Sequence, residues 1–419
     1  MRSSKFEIIK LRERLNFVGE FIPHVYSFSA GILFACGSRD EVSGSEGLTH
    51  LLEHMLFKGT NRRSAKELFK KIESLGGSFD AYTTKENMII MTRFLREYQD
   101  GVVDIILEML NEAALPDEEF GKEKSIILEE IKSTNEDPED RVFDLFFETV
   151  FKPHQIANPI VGYKTTVERL GRENILDHFD AFISQPITFS VAGNYDQESV
   201  LNRINSIRID NKPIFKRSPP VFHPRRIGFE ARKDLSQVYV VLATEGVPFV
   251  DDRRYAMNII SSALGGGMSS RLFLRLRETE GLVYNVQTFN EFFTDIGIFG
   301  IFFITDQKNL GRCLDAIGDE LKELGNTNFS NEELNIHRSL IKGNFLIGLE
   351  STTNRMLRLG RSLAQLKEIP SVSDITSIIE SIDQKSVAPL LKKICDQRNY
   401  SIAVVGKAEE EEIRSFFKL

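Results

Sequence analysis

Hydrophobic and polar positions alternate along the chain in two textures, dense β-branched and aromatic runs and longer stretches at helical spacing, and their order is written twice. In the first half a strand run at His24–Cys36 precedes a helical stretch around His50, a second at Ser64–Ser74 and a long strand pattern at Ser78–Phe94. A helix near Gly101–Ala114, another opening at Pro116–Asp117 and a late strand at Ile187–Ala192, closed by Gly193, complete the plan. The second half repeats it at an offset of about 200–220 residues: strand Gln237–Thr244, helices across Arg254–Glu280, strand pattern Tyr284–Ile304, helix Leu310–Leu324, a helix opening at Ser330–Glu333, and a late strand Tyr400–Val405 closed by Gly406. Self-similarity on this scale predicts an internal duplication. Between the copies, Lys212–Pro224 carries Pro213, Pro219, Pro220 and Pro224, a composition suited to a stiff extended connection. The expected division is therefore residues 1–212, a linker at 213–224, and residues 225–419. Few strands, hairpin-like strand pairs and many helices predict an α+β fold of two similar halves, each a mostly antiparallel sheet covered by helices.

Charge and composition narrow the function. Lys+Arg 53 against Asp+Glu 61 leaves a net charge of −8 over 419 residues, with no basic stripe, which excludes a nucleic-acid binder. The longest apolar run, Ile296–Ile304, is broken by Gly297 and Gly300 and is about half the roughly 20 residues a membrane-spanning helix needs, so no span is predicted. The opening MRSSKFEIIKLRERLNF contains Glu7 and Glu13 and lacks an apolar core of export-signal length. With three scattered cysteines, Cys36, Cys313 and Cys395, this makes a reducing, cytoplasmic setting the expectation.

Candidate chemistry is densest in GLTHLLEHMLFKG, residues 47–59. On a helix, residues four apart share a face, so His50 and His54 present two imidazoles to one ion, and Glu53 lies beside them. Hydrolytic zinc sites use three protein ligands and keep the fourth position for water, so a third ligand must come from elsewhere. The sequence offers Glu130, within the amphipathic stretch EKSIILEEIK in which Glu123 and Glu130 stand seven apart and face the same way. One carboxylate can bind metal while the other supports it. Glu53 has the chemistry to take a proton from an attacking water and deliver it to a leaving amine. A bare HxxEH also arises by chance on exposed helices that bind nothing.

The wider text decides more. HLLEHMLFKGT, preceded by GSRDE at 37–41 and followed 76 positions after His54 by Glu130 in EKSIILEEI, resembles the inverted zincins, and specifically the pitrilysin-like (M16) peptidases that include mitochondrial processing peptidase and its bacterial relatives. The resemblance spans essentially the whole chain and is strongest at 37–60, 76–87, 123–144 and 264–284. It implies one zinc per chain held by His50, His54 and Glu130, Glu53 as catalytic base and Glu123 as an auxiliary carboxylate. It also implies an edge strand carrying Phe79, Asp80, Ala81 and Tyr82 that takes up an extended peptide through main-chain hydrogen bonds. Asp80 departs from the asparagine common there. The loop Gly265–Gly267 looks like the family's glycine-rich loop, and Arg277 and Tyr284 match a pair that reaches the substrate; the alternatives are an Arg277–Glu280 surface pair and a packed Tyr284. Asp140 and Asp144 match positions that hold a basic residue near the cleavage point, or else simply open an acidic helix at Asp137.

The implied activity is a zinc-dependent endopeptidase hydrolysing extended, unfolded peptides or targeting segments inside a closed chamber, as a homodimer or as a heterodimer with a zinc-less paralogue. The competing readings are a catalytically inactive scaffold or core subunit of the same fold, and a thiol peptidase using Cys36. Superposing Gly47 on Gly267 sets His50, Glu53 and His54 against Ser270, Phe273 and Leu274, and an offset of 214 sets Glu130 against Asn344. Metal is therefore expected in the first half alone.

Overall fold

The computed structural model describes residues 6–415. Six strands form the first sheet: β1 (Phe6–Arg12), β2 (Leu15–Phe21), β3 (Ser27–Phe34), β4 (Ser78–Thr83), β5 (Met88–Leu95) and β6 (Ile187–Gly193), in the order β1-β2-β6-β3-β5-β4. Five form the second: β7 (Ile227–Ala231), β8 (Val238–Glu245), β9 (Val283–Phe292), β10 (Gly297–Thr305) and β11 (Ser401–Gly406), in the order β7-β11-β8-β10-β9. Without β1 the two orders are one order. β2 runs parallel to β6 and β7 parallel to β11, and every other pair is antiparallel. The α+β class with two like halves is thus the observed one. The single parallel pair in each sheet comes from β2 and β7, which the hydrophobic pattern did not single out.

Two compact units make up the chain, and each contains a helix from the opposite half of the sequence. The first unit comprises the chain through Lys132, Asn158–Ser218 and Ile347–Ser371; the second comprises Ser133–Ala157, Pro219–Leu346 and the chain from Val372 onward. In the first unit the helices α1 (Leu48–Leu56), α2 (Ala65–Ser74) and α3 (Gln99–Asn111) contribute to the large apolar core on one face of the sheet. The Thr352–Leu366 helix lies against β2, β3 and β6. A Cβ on Gly360 would come within 2.6 Å of Leu33 Cδ1 and 3.1 Å of Ser190 Cβ, so a larger residue would require its neighbours to shift. Ser190 Oγ donates to the Met356 carbonyl at 2.7 Å, and Arg355 pairs with the buried Glu20. Helix α4 (Asp117–Glu136) and then α5 (Pro138–Phe151) follow α3 in sequence. In the second unit α5 packs on β11, β8 and β7 through an apolar cluster that includes its own Phe146, Phe147 and Phe151. Cover on both faces explains why β6, β10 and β11 are buried at every position rather than alternating.

Among the described residues no helix is long and apolar enough to cross a membrane. Residues 1–5 of the opening segment lie outside the described residues; the rest of that segment forms β1 and the start of β2.

Candidate metal centre

Helix α1 is anchored at its start and along its apolar face. Gly47, the residue before it, has φ +96°, and a Cβ there would meet the Val161 carbonyl oxygen at 2.6 Å. The buried Glu41 carboxyl accepts from the Gly47 and Thr49 backbone N–H groups at 2.9 and 2.6 Å, occupying donors that a helix N-terminus leaves free. Burial nevertheless pushes that carboxyl up to about 8. Thr49 Oγ1 meets the ring of His178, whose pKa is lowered to about 4 by burial. Leu51, Leu52, Met55 and Leu56 enter the core, which leaves Glu53 and His54 on the half-buried face with His50 at its margin.

On that face two distant stretches converge. One ligand atom each from His50, His54 and Glu130 lies within 4.8 Å of the others. His50 Nε2 stands 3.7 Å from Glu130 Oε1, and His54 Nε2 stands 3.9 Å from Glu130 Oε2. Ligands at about 2.0–2.1 Å from a tetrahedral zinc are roughly 3.3 Å apart, so modest movements of these side chains, the 40% exposed Glu130 among them, would seat an ion. The imidazoles suit the task. Burial, and His54 next to it, lower the His50 pKa to about 4, which keeps its ring neutral. His54 Nδ1 faces Glu123 Oε2 at 3.1 Å; a carboxylate there accepts, so Nε2 keeps its lone pair for a metal. His50 Nδ1, by contrast, is buried without a hydrogen-bond partner.

Glu53 stands beside the cluster and is aimed by β4. Thr83 Oγ1 donates to Glu53 Oε2 at 2.6 Å, while burial raises the Glu53 pKa. Strand β4 is one edge of its sheet. Along it Phe79 packs edge-on against Phe57 at 5.8 Å, Asp80 is exposed, Ala81 is half-buried, and the half-buried Tyr82 accepts from Arg361 at 2.8 Å. Glu123 is 4% exposed and its second oxygen meets Lys58 Nζ at 2.7 Å.

Thr83, Lys58 and Glu41 were not singled out from the sequence. Lys58 had a signal, since it falls four residues after His54, while Thr83 and Glu41 had none beyond lying in stretches already noted.

Of the remaining candidates Arg277, Tyr284, Asp140 and Asp144 belong to the second unit and Cys36 to the first. Arg277 lies in the π-helical segment Phe273–Thr279 with its guanidinium 5.1 Å over the Phe273 ring, and it is Arg275, not Arg277, that pairs with Glu280. Tyr284 is 72% exposed near the start of β9 rather than packed. Asp137 caps α5 by accepting from the Glu139 and Asp140 N–H groups, so the acidic run does open a helix; Asp140 sits in its first turn and Asp144 one turn on. Cys36 is fully buried, and that burial pushes its thiol well above the ordinary value, the reverse of what a nucleophile needs.

The sequence profile of Insulinase (Peptidase family M16) matches residues 23–164, and that of the Peptidase M16 inactive domain matches residues 169–341. The chain belongs to peptidase family M16. Relatives of this M16 chain include an "uncharacterized zinc protease" of Streptomyces coelicolor, 32% identical with 95% of this chain and 89% of the relative covered. Another of the same description, from Rickettsia bellii, is 31% identical over 96% of this chain and 97% of its own. The fold is that of a protease from Helicobacter pylori, with TM-score 0.89 at 19% identity, covering 96% of this chain and all of that one.

Element order corrects the superposition of Gly47 on Gly267. The first helix after β8 is Arg254–Gly265, so this helix, not the segment after Gly267, corresponds to α1. Its sequence, RYAMNIISSALG, contains no His, Asp or Glu. Among the described residues the only three-ligand cluster is the one in the first half.

Proposed function

We propose that this M16 chain is a zinc-dependent endopeptidase of the HxxEH type, holding one zinc per chain on His50, His54 and Glu130 and hydrolysing extended, unfolded peptides or targeting segments. The observation that carries the reading is the convergence of those three donors beside a fourth group, Glu53, aimed by Thr83. Zinc bound there would supply Lewis acidity, polarising a peptide carbonyl and lowering the pKa of water to about 7. Glu53 accepts the proton of the attacking water as the new C–O bond forms, then hands it to the amide nitrogen as the C–N bond breaks. Glu123 holds His54 from behind. The edge strand β4, with Phe79, Asp80, Ala81 and Tyr82, takes the substrate as an added strand, which selects for chain without stable structure of its own. Arg277 and Tyr284 donate to the substrate carbonyl or to the oxyanion that forms on it, and the exposure of Tyr284 leaves its hydroxyl available. Asp140 and Asp144 favour a basic residue near the cleavage point.

Both the metal set and the Arg277/Tyr284 pair reside in one chain, which favours a homodimer enclosing a chamber over a heterodimer with a zinc-less paralogue. A cytoplasmic location fits the cysteine usage. The scaffold reading is disfavoured by relatives described as zinc proteases and by the intact ligand set.

Metal content and cleavage of a quenched peptide, before and after chelation, test the proposal. About one zinc per chain and chelator-sensitive turnover are expected; a metal-free and inactive wild type would return the scaffold reading. Comparing peptides with Arg or Ala two residues before the scissile bond, in wild type and Asp144→Asn, tests the basic preference, and identical ratios would remove it.

A further inference from the structure

Behind the proposed ligand His54 lies a second layer ending in a cation. Glu123 bridges two groups: Oε2 accepts from His54 Nδ1 at 3.1 Å, and Oε1 meets Lys58 Nζ at 2.7 Å. The carboxylate is 4% exposed and the lysine side chain 20% exposed, so this pair is shielded from the water that weakens surface ion pairs. A buried carboxylate with one neutral neighbour would carry an unbalanced charge and be free to rotate about its last torsion; the ammonium removes both problems at once. The Lys58 backbone is held by the turn that closes α1 after Leu56, where the Lys58 N–H donates to the Met55 carbonyl at 3.1 Å.

The second half supplies a contrast. There the corresponding helix meets its neighbour through the neutral pair Ser262 Oγ and His337 Nδ1 at 2.9 Å, and the residues after the helix are Gly266 and Gly267, with no cation. The lysine accompanies the carboxylate–imidazole pair, not the helix contact as such.

We infer that Lys58 is a positioning residue for metal capture, acting through Glu123 to hold His54 with Nε2 turned toward Glu130. The inference rests on the zinc reading above. His50 has no such support, since its Nδ1 is unpartnered, so the rigidity of the ligand set depends on the His54 side. Lys58 donates to the outer oxygen, Glu123 passes that constraint to the ring, and the ring presents a single lone pair to the ion.

The test is a double-mutant cycle read by zinc affinity, measured by competition with a chromogenic chelator on the full chain. Lys58→Met is expected to weaken zinc binding by about 10-fold or more, the range typical of outer-shell partners. Lys58→Gln, which keeps a donor and so protects folding, moves affinity in the same direction; Lys58→Arg stays within about threefold of wild type because it keeps the charge. In a Glu123→Gln background the Lys58→Met effect should shrink to less than about twofold, as expected of a residue acting only through its neighbour. Wild-type affinity in both Lys58→Met and Lys58→Gln would overturn the inference, as would an undiminished Lys58→Met effect in the Glu123→Gln background. These outcomes are independent of turnover: a chain that binds zinc in the expected order but cleaves no peptide refutes the peptidase reading and leaves the Lys58 assignment standing.

Discussion

The first helix after the central strand has the same neighbours in both halves and meets them with different chemistry. In the first half α1 reaches the edge strand β4 through Glu53 and Thr83, and reaches α4 through His54 and Glu123. In the second, the Arg254–Gly265 helix reaches β9 through Ser261 Oγ, which donates to Thr288 Oγ1 at 3.0 Å, and reaches the Asn331–Gly348 helix through Ser262 and His337. Consecutive residues of the helix touch the same two neighbours, as Glu and His in one case and as two serines in the other. Hydroxyls therefore suffice to tie the helix down. An ionisable pair in the same place costs desolvation, seen in the raised pKa of Glu53, and a group kept at such a cost is a candidate for chemistry rather than for packing.

That comparison is sharpest at Glu53. Glu53→Gln is expected to lower turnover by about 10³-fold, in the middle of the range for general acid–base groups, with zinc content unchanged; Ser261→Ala should leave turnover within about twofold. Active Glu53→Gln, or an inactive but folded Ser261→Ala, would break the distinction between the halves.

Scaffold residues should behave alike in both. Ile32 in β3 and Leu242 in β8 are fully buried in their respective cores, and truncation of either to alanine should cost about 2–5 kcal/mol in urea unfolding. A loss under about 1 kcal/mol at one of them would mean that the sheets are not equivalent as cores.

Acid should act on the first half through a buried histidine. The folded His178 pKa, about 4 against 6.5, lies below its unfolded value, so the unfolded chain binds more protons between those pH values and stability falls as pH drops through that window. The loss is up to about 3 kcal/mol. Glu41, pushed up to about 8, acts in the opposite sense, so the measurement is the difference in slope between wild type and His178→Asn. Identical pH profiles would show that His178 is not held neutral.

The smallest expected effect is structural. Ser261→Ala removes one hydroxyl contact and should cost about 1 kcal/mol, detectable as a lower urea midpoint. No change would mean that the second-half bridge is dispensable and that apolar packing alone seats its helix.

Much of the site was legible because its spacing is helical. His50, Glu53 and His54 are presented together by any helix through 48–56, and Glu123 and Glu130 by any helix through 117–136. Thr83 was not legible as a partner of Glu53, since a hydroxyl at the end of a strand carries no mark of what it faces. β7 escaped notice because five residues on a sheet edge, half-buried in the main, give too weak an alternation. The reciprocal placement of α5 and the Thr352–Leu366 helix was invisible for a different reason: an amphipathic helix declares that it has an apolar face, not which sheet will cover it.

By itself the amino-acid sequence determined the repeated order of strands and helices and the two helical stretches that bear the ligands, because both follow from local periodicity. Only the tertiary structure decided that Glu130 would meet two imidazoles some 76 to 80 residues away, that Thr83 would aim Glu53, that Lys58 would back Glu123, and that each unit would take a helix from the other half. Those are contacts between elements, and they exist once apolar faces have chosen their partners and fixed where the few polar side chains between them must point.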